Sequence, residues 1–193
     1  MPRPKDHSKV ENIYQAALQL VIRRGFNEFR MADVAKAAGV ATGSLYTYFR
    51  NKEELVNALF LDTAQQLYSS LQVEKRTETT HYHFMKIWTS YYNYCFVHPD
   101  HMLFIDQYQH SGFLSDETKN EAKLHLKSFD DFLHHAQEYG DLRMLNLEVL
   151  KALILGSVHE FTKLNIEHPG TMDFHALETC KEMIWEAVKE RRA

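Results

Sequence analysis

Apolar side chains recur at helical spacing along almost the whole chain. Val10, Ile13, Tyr14, Ala17, Leu18 and Val21 fall at i, i+3, i+4, i+7, i+8 and i+11, one face of a helix that Gly25 ends. A short helix over 32–38, a turn at Gly39-Val40-Ala41 and a second short helix over 42–49 follow. Asn51 or Lys52 then opens a long helix with Val56, Phe60, Ala64, Leu67 and Leu71 along one side, and the polar stretch 74–80 breaks it. Further helices are predicted near 82–97, 100–110, 116–139, 147–165 and 174–191. Pro99, Ser111-Gly112, Gly140 and Pro169-Gly170 separate them. No segment alternates as a strand does. The predicted fold class is all-α, with about nine helices.

The most informative stretch is MADVAKAAGVATGSLYTYFRNKEEL, residues 31–55. It reads as a helix, a tight turn and a second helix. Val34 and Ala35 lie on the inner face of the first helix, and small Ala35 and Ala38 let the second pack closely. Gly39 supplies the backbone conformation of a sharp turn, and Thr42 is placed to cap the second helix. Leu45 and Phe49, four apart, point inward. Thr42, Gly43, Ser44, Tyr46, Thr47 and Tyr48 are left facing outward: small or hydroxylated residues and two amphipathic rings, with no acid. Such a face suits the major groove of double-stranded DNA, where hydroxyls reach phosphates and base edges. The helix N-terminus also offers backbone N–H groups to a phosphate.

The run AGVATGSLYTYFRNKEEL resembles the helix-turn-helix signature of the tetracycline-repressor (TetR/AcrR) family of bacterial transcriptional regulators. The preceding helix and Gly25-Phe26 are similar as well, so the resemblance is strong over about 8–60 and elsewhere extends only to layout. It implies a helix-turn-helix DNA-binding domain of three helices over 1–52 and a larger helical ligand-binding and dimerisation domain over 53–193. It further implies that Tyr46 and Thr47 touch bases or sugars, that Gly43 and Ser44 allow close approach, and that Thr42, Tyr48 and Lys52 hold phosphates. Two positions depart from the family pattern. Ser or Thr is usual near Arg30-Met31, where it caps the first short helix and contacts phosphate, and Ser is usual at Ala41. Arg30 replaces the first contact with a charge. Arg3 and Lys5 form either an arm on the DNA backbone or a frayed tail.

Charge sharpens this picture. The net charge of −4 divides into +5 over residues 1–52, with nine Lys/Arg and four acids, and −9 over the remainder. A basic quarter joined to an acidic three quarters suits a protein whose N-terminal part approaches a polyanion. The composition, 45% hydrophobic and 25% charged with 7 Gly and 4 Pro, is that of an ordinary globular chain and excludes collagen-like and wholly disordered classes. No apolar run approaches the ~20 residues that cross a bilayer, and Arg23-Arg24 follow 13–22 where a signal peptide needs small residues. A cytoplasmic protein without a membrane partner is expected. Cys95 and Cys180, each among apolar residues, are expected to be buried, reduced thiols.

One short recognition helix carries little specificity, so readers of this type bind two half-sites as dimers. Within 147–164, apolar residues occupy more than one face, which requires cover on both sides. Pattern and resemblance together suggest a four-helix homodimer interface using Leu150, Leu153, Ile154, Val158, Phe161, Leu177, Ile184 and Val188. The alternative is that both helices lie wholly in the monomer core.

Residues 84–113 hold nine of the aromatic side chains. Trp88, Tyr91 and Cys95 share a face with Phe84, while Phe104, Tyr108, Phe129 and Leu133 add apolar surface and His159 a polar group. These residues are candidates to line a pocket for a small-molecule effector. A plain aromatic core is the competing reading of the same stripe. The twelve histidines show no i, i+4 pair and no nearby cysteine pair, so surface histidines are expected and no metal or other cofactor. The chain has no Gly-rich phosphate loop, H-E-x-x-H or G-x-S-x-G, and no enzymatic activity is expected. The function predicted is a transcriptional repressor released from a pseudo-palindromic operator by a small hydrophobic or aromatic ligand. The alternative is a ligand-independent global or architectural regulator that acts through a protein partner.

Overall fold

The computed structural model describes residues 7–72 and 78–191. Among them ten helices and no strand are formed: α1 (His7–Glu28), α2 (Met31–Ala37), α3 (Thr42–Tyr48), α4 (Lys52–Ser69), α5 (Thr80–Val97), α6 (Pro99–Tyr108), α7 (Asp116–Leu124), α8 (Lys127–Glu138), α9 (Leu147–Glu167) and α10 (Phe174–Val188). Arg3, Lys5 and the middle of the polar stretch after α4 lie outside the described residues. The all-α expectation holds, with one helix more than the periodicity predicted. The single helix expected over 116–139 is two, broken at His125-Leu126. Its inward positions, Thr118, Ala122, Phe129, Leu133 and Ala136, keep one helical phase across the break. Periodicity therefore carries no sign of it.

The chain forms two compact units, Met1–Gln65 with Asp100–Ala122, and Gln66–Pro99 with Lys123–Ala193. In the first, α1 buries Ile13, Ala17, Leu18 and Val21, the face expected from their spacing. Gly25 (φ 75°, ψ 166°) breaks the helical path of α1 near its end. Gln19 is hydrogen-bonded to Asp100 of α6, and Phe60 of α4 meets Phe104 of α6 edge-on at 6.0 Å. Asn57 of α4 holds the loop between α6 and α7, accepting from the Ser115 N–H at 2.9 Å and donating to the Phe113 carbonyl at 3.1 Å.

In the second unit α5 packs against α9 and α10. Trp88 donates from Nε1 to Ser157 Oγ at 3.4 Å, stacks on Tyr92 at 5.7 Å, and meets Phe161 at 6.3 Å. Lys181 of α10 is nearly buried, yet its ammonium reaches Glu178 at 2.7 Å and Thr89 Oγ1 at 3.1 Å, so the charge enters the interface already paired. Thr79, Asn146 and Asp173 cap α5, α9 and α10 with side-chain oxygens. Gln137 donates to the carbonyls of Arg143 and Leu145 at 2.7 and 2.8 Å, which fixes the turn into α9.

Candidate nucleic-acid interface

The turn between α2 and α3 is built from its backbone. Val40 N–H donates to the Ala35 carbonyl at 3.0 Å and Gly39 N–H to the Lys36 carbonyl at 3.3 Å, with Gly39 at φ 68°. This pair of bonds ends a helix through a left-handed residue, which glycine adopts without the strain a side chain would bring. At the start of α2 the Asp33 carboxylate accepts from the Arg30 N–H at 3.3 Å. An acid at the third helical position thereby satisfies the N-cap residue's own N–H, while Arg30 provides no side-chain cap where Ser or Thr is usual.

The N-cap of α3 is Ala41 and has no side-chain cap, so Thr42 is the first helical residue, not the cap that the sequence suggested. The Ala41 carbonyl accepts from Ser44 and Leu45 N–H at 2.9 and 3.1 Å. Leu45 and Phe49 are buried. Thr42, Gly43, Ser44, Tyr46 and Thr47 are exposed together on the opposite side, with Tyr46 half exposed at 50%. Thr47 Oγ1 donates to the Ser44 carbonyl at 2.6 Å, which orients its hydroxyl on that face. Tyr48 is partly buried, and its ring is less available than the periodicity implied.

Lys52 departs most from expectation. Its ammonium turns inward, donating to the Phe26 carbonyl at 2.6 Å and the Phe29 carbonyl at 3.2 Å, with Asn27 O at 3.5 Å. It also stands over the rings of Phe26 and Phe29, 4.5 and 4.9 Å from their centroids. The kink at Gly25 leaves these carbonyls outside the regular helix, and the cation satisfies them. The one ammonium that the resemblance assigned to phosphate is thus occupied within the protein. Exposed Arg23, Arg30, Lys36 and Arg50 remain as cationic groups of this unit. Sequence reasoning gave Arg30 a phosphate contact and counted the other three only in the charge balance, because only the fold shows which cations stay outside.

The remaining expected sites divide. Trp88, Tyr91, Cys95, Phe129 and Leu133 are buried in the second unit, and the Tyr91 hydroxyl lies 2.7 Å from His159 Nε2. Phe104 and Tyr108 belong to the first unit. Burial pushes the Cys95 thiol up to about 12, against hydrogen bonds with Tyr91 and its own backbone that favour the thiolate. Cys180 is only partly buried, unlike the expected pair of buried thiols.

Of the expected dimer residues, Leu150, Ile154, Val158 and Val188 are core residues of this chain, and Phe161, Leu177 and Ile184 are partly covered. Leu153 is 43% exposed and lies about one turn from the exposed Val149 on α9, and Met183 on α10 is 64% exposed. His83 and His101 are buried, contrary to the surface expectation. Among the described residues no group of three or more His, Cys, Asp or Glu is placed to hold a metal ion, and no helix is long and apolar enough to cross a membrane.

Comparison with known proteins agrees with this architecture. The model of bacterial regulatory proteins of the tetR family matches residues 13–59, and that of the tetracyclin repressor-like C-terminal domain matches residues 80–189. An uncharacterised HTH-type transcriptional regulator of Haemophilus influenzae is 27% identical, covering 93% of this chain and 95% of its own length. The crystal structure of a TetR-family transcriptional regulator from Haemophilus influenzae Rd superposes with a TM-score of 0.82 at 25% identity, over 97% of this chain and 100% of that one. The transcriptional regulator FadR from Bacillus subtilis, crystallised with stearoyl-CoA, shares the fold with a TM-score of 0.68 at 20% identity, over 90% and 96% of the two chains.

Two outcomes test the geometry. Lys52→Met should lower the stability of the folded chain by ~1–3 kcal/mol, because part-buried carbonyls lose a charged donor. The slope of log affinity for DNA against log salt should stay as in the wild type, and a slope shallower by about one unit per half-site would return Lys52 to a phosphate. With its pKa about 12, Cys95 holds roughly one thiolate in ten thousand at pH 8. Iodoacetamide on the folded protein should therefore label Cys180 and spare Cys95, as read by mass spectrometry. Equal labelling would mean that the second unit's core opens readily.

Proposed function

The chain belongs to the TetR family of bacterial regulatory proteins, and we propose that it is a cytoplasmic repressor that leaves a pseudo-palindromic operator when a small hydrophobic or aromatic effector binds its helical domain. It is a DNA-binding transcriptional regulator and not an enzyme, as its relatives' descriptions agree. The observation that carries the finer reading is the exposed face of α3. Thr42, Gly43, Ser44, Tyr46 and Thr47 stand outward while Leu45 and Phe49 anchor the helix. Tyr46 and Thr47 read base edges or sugars, Gly43 and Ser44 let the backbone approach, and Thr42 and Tyr48 contact phosphates. The DNA-binding part is the first three helices, and the remainder serves effector binding and dimerisation.

A homodimer sets two copies of α3 about 34–36 Å apart, one turn of DNA. The face that suits a second copy is the exposed apolar row Val149 and Leu153 on α9, with Met183 on α10; Phe161, Leu177 and Ile184 flank it. The effector reading is supported by the aromatic interior of the second unit, Trp88, Tyr91, Cys95, Phe129 and Leu133, with His159 as a polar anchor. The Bacillus subtilis neighbour that holds stearoyl-CoA makes a long-chain acyl thioester the natural first probe. Release from DNA requires the effector to bind the DNA-incompetent arrangement more tightly, and the coupling cannot exceed that difference.

The decisive experiment is sequencing of genomic fragments retained by the purified protein at a stated salt. One or a few palindromic sites are expected, with release when stearoyl-CoA or another apolar effector is added. Many dispersed sites, unaffected by ligands and by cell extract, would refute the effector-released repressor. Tyr46→Ala should weaken binding to the recovered operator at least tenfold with the fold intact by circular dichroism. Unchanged affinity would remove α3 from the groove. For the dimer, Leu153→Glu combined with Met183→Glu should give a monomer in sedimentation velocity with unchanged helix content. A persistent dimer would move the interface elsewhere.

A further inference from the structure

A cleft of about 960 Å³ opens in the second unit where the start of α5, the end of α8 and the end of α10 meet. Its walls are aromatic. His81 and Trp185 lie 4.9 Å apart by ring centroids, and His83 meets Phe132 edge-on at 6.5 Å. Its rim is acidic, with the carboxylates of Glu78, Asp141, Glu186 and Glu190 against the cations of Lys189 and Arg191. Lys189 is already paired with Glu186.

The rim is fixed by backbone bonds. Arg143 N–H donates to the Val188 carbonyl and Glu190 N–H to the Asp141 carbonyl, both at 2.9 Å, and Thr80 Oγ1 donates to the Asp141 carboxylate at 2.5 Å. One buried atom of a lining residue is unaccounted for. His83 is 7% exposed, and its Nε2 has no hydrogen-bond partner. Native structures leave few buried polar atoms unpaired, and those left mark a place where a ligand or water completes the bonding.

We propose that this cleft is a binding site for an organic cation with a flat apolar body, of the class of aromatic primary ammonium compounds. Each part of the ligand meets a matching part of the site. The ring lies against His81, Phe132 and Trp185, and the ammonium is held by the π-faces and the acidic rim. An ammonium N–H donates to the unpartnered Nε2 of His83. An anion of the same shape meets four carboxylates against two cations, one of which, Lys189, is already paired with Glu186. The site uses none of the residues proposed for DNA contact or for the buried aromatic interior, and its test needs no DNA.

Isothermal titration of the full chain with three isosteric probes decides it: 2-naphthylmethylammonium, 2-naphthalenemethanol and 2-naphthylacetate. The ammonium should bind one per chain, the alcohol at least tenfold more weakly and the carboxylate not at all. His83→Phe should weaken the ammonium at least tenfold. Glu78→Gln with Glu186→Gln, two exposed rim changes that leave the core untouched, should weaken it several-fold and narrow its advantage over the alcohol. The rim pair keeps the test sharp if His83→Phe fails to fold. Absence of ammonium binding, carboxylate binding as tight as ammonium, or indifference to the folded variants would each overturn the site.

Discussion

The ammonium of Lys52 is the point on which the first unit turns. Gly25 takes the chain off its helical path, which leaves the carbonyls of Phe26 and Phe29 without helical partners. The first side chain of α4 supplies the missing donor, and the start of α4 is thereby tied to the end of α1. Phe26, held under that cation, stacks on Phe113 at 3.9 Å. Five residues further along α4, Asn57 grips the backbone of Phe113 and Ser115. One and a half turns of a single helix thus gather the end of α1 and the α6–α7 loop. The helix-turn-helix inherits its position from this clasp, since α2 and α3 are strung between its two ends.

This arrangement explains what could be read in the sequence and what could not. The inner faces of α1 and α4, the turn at Gly39 and the outward face of α3 follow from spacing, because one side is buried and the other wet. Lys52 defeats such reasoning: a lysine beside a recognition helix has the same letter whether it holds a phosphate or three carbonyls. Only the path of the chain after Gly25 decides. The cap of α3 slipped by one residue for a related reason. Thr42 has the better capping chemistry, but the bonds that close the turn at Val40 leave Ala41 as the last extended residue.

The two C-terminal helices show a different limit. A helix apolar on more than one side announces that it is covered twice, yet its periodicity has no phase to say which row faces inward. Leu150, Ile154 and Val158 recur every four residues and fill the core of their own chain, while Val149 and Leu153, one step behind, stay in water. Likewise the break between α7 and α8 interrupts no apolar pattern. His83 is the reverse case. Nothing in its letter or spacing separates it from the surface histidines, and its importance comes from a buried nitrogen that the fold leaves without a partner.

The recognition helix itself is poorly suited to stand alone. Seven residues are too few for an isolated helix in water, and Gly43 and the β-branched Thr42 and Thr47 weaken it further. Its start also lacks a side-chain cap. What keeps it helical is the burial of Leu45 and Phe49, the second of which also meets Tyr14 of α1 at 5.8 Å. Because the scaffold carries the stability, the outward positions need not be good helix formers. They are free to be small where a backbone must come close and hydroxylated where a groove offers partners. The same residues that make α3 weak in isolation are those proposed to meet DNA, and the clasp at Lys52 is what allows that exchange.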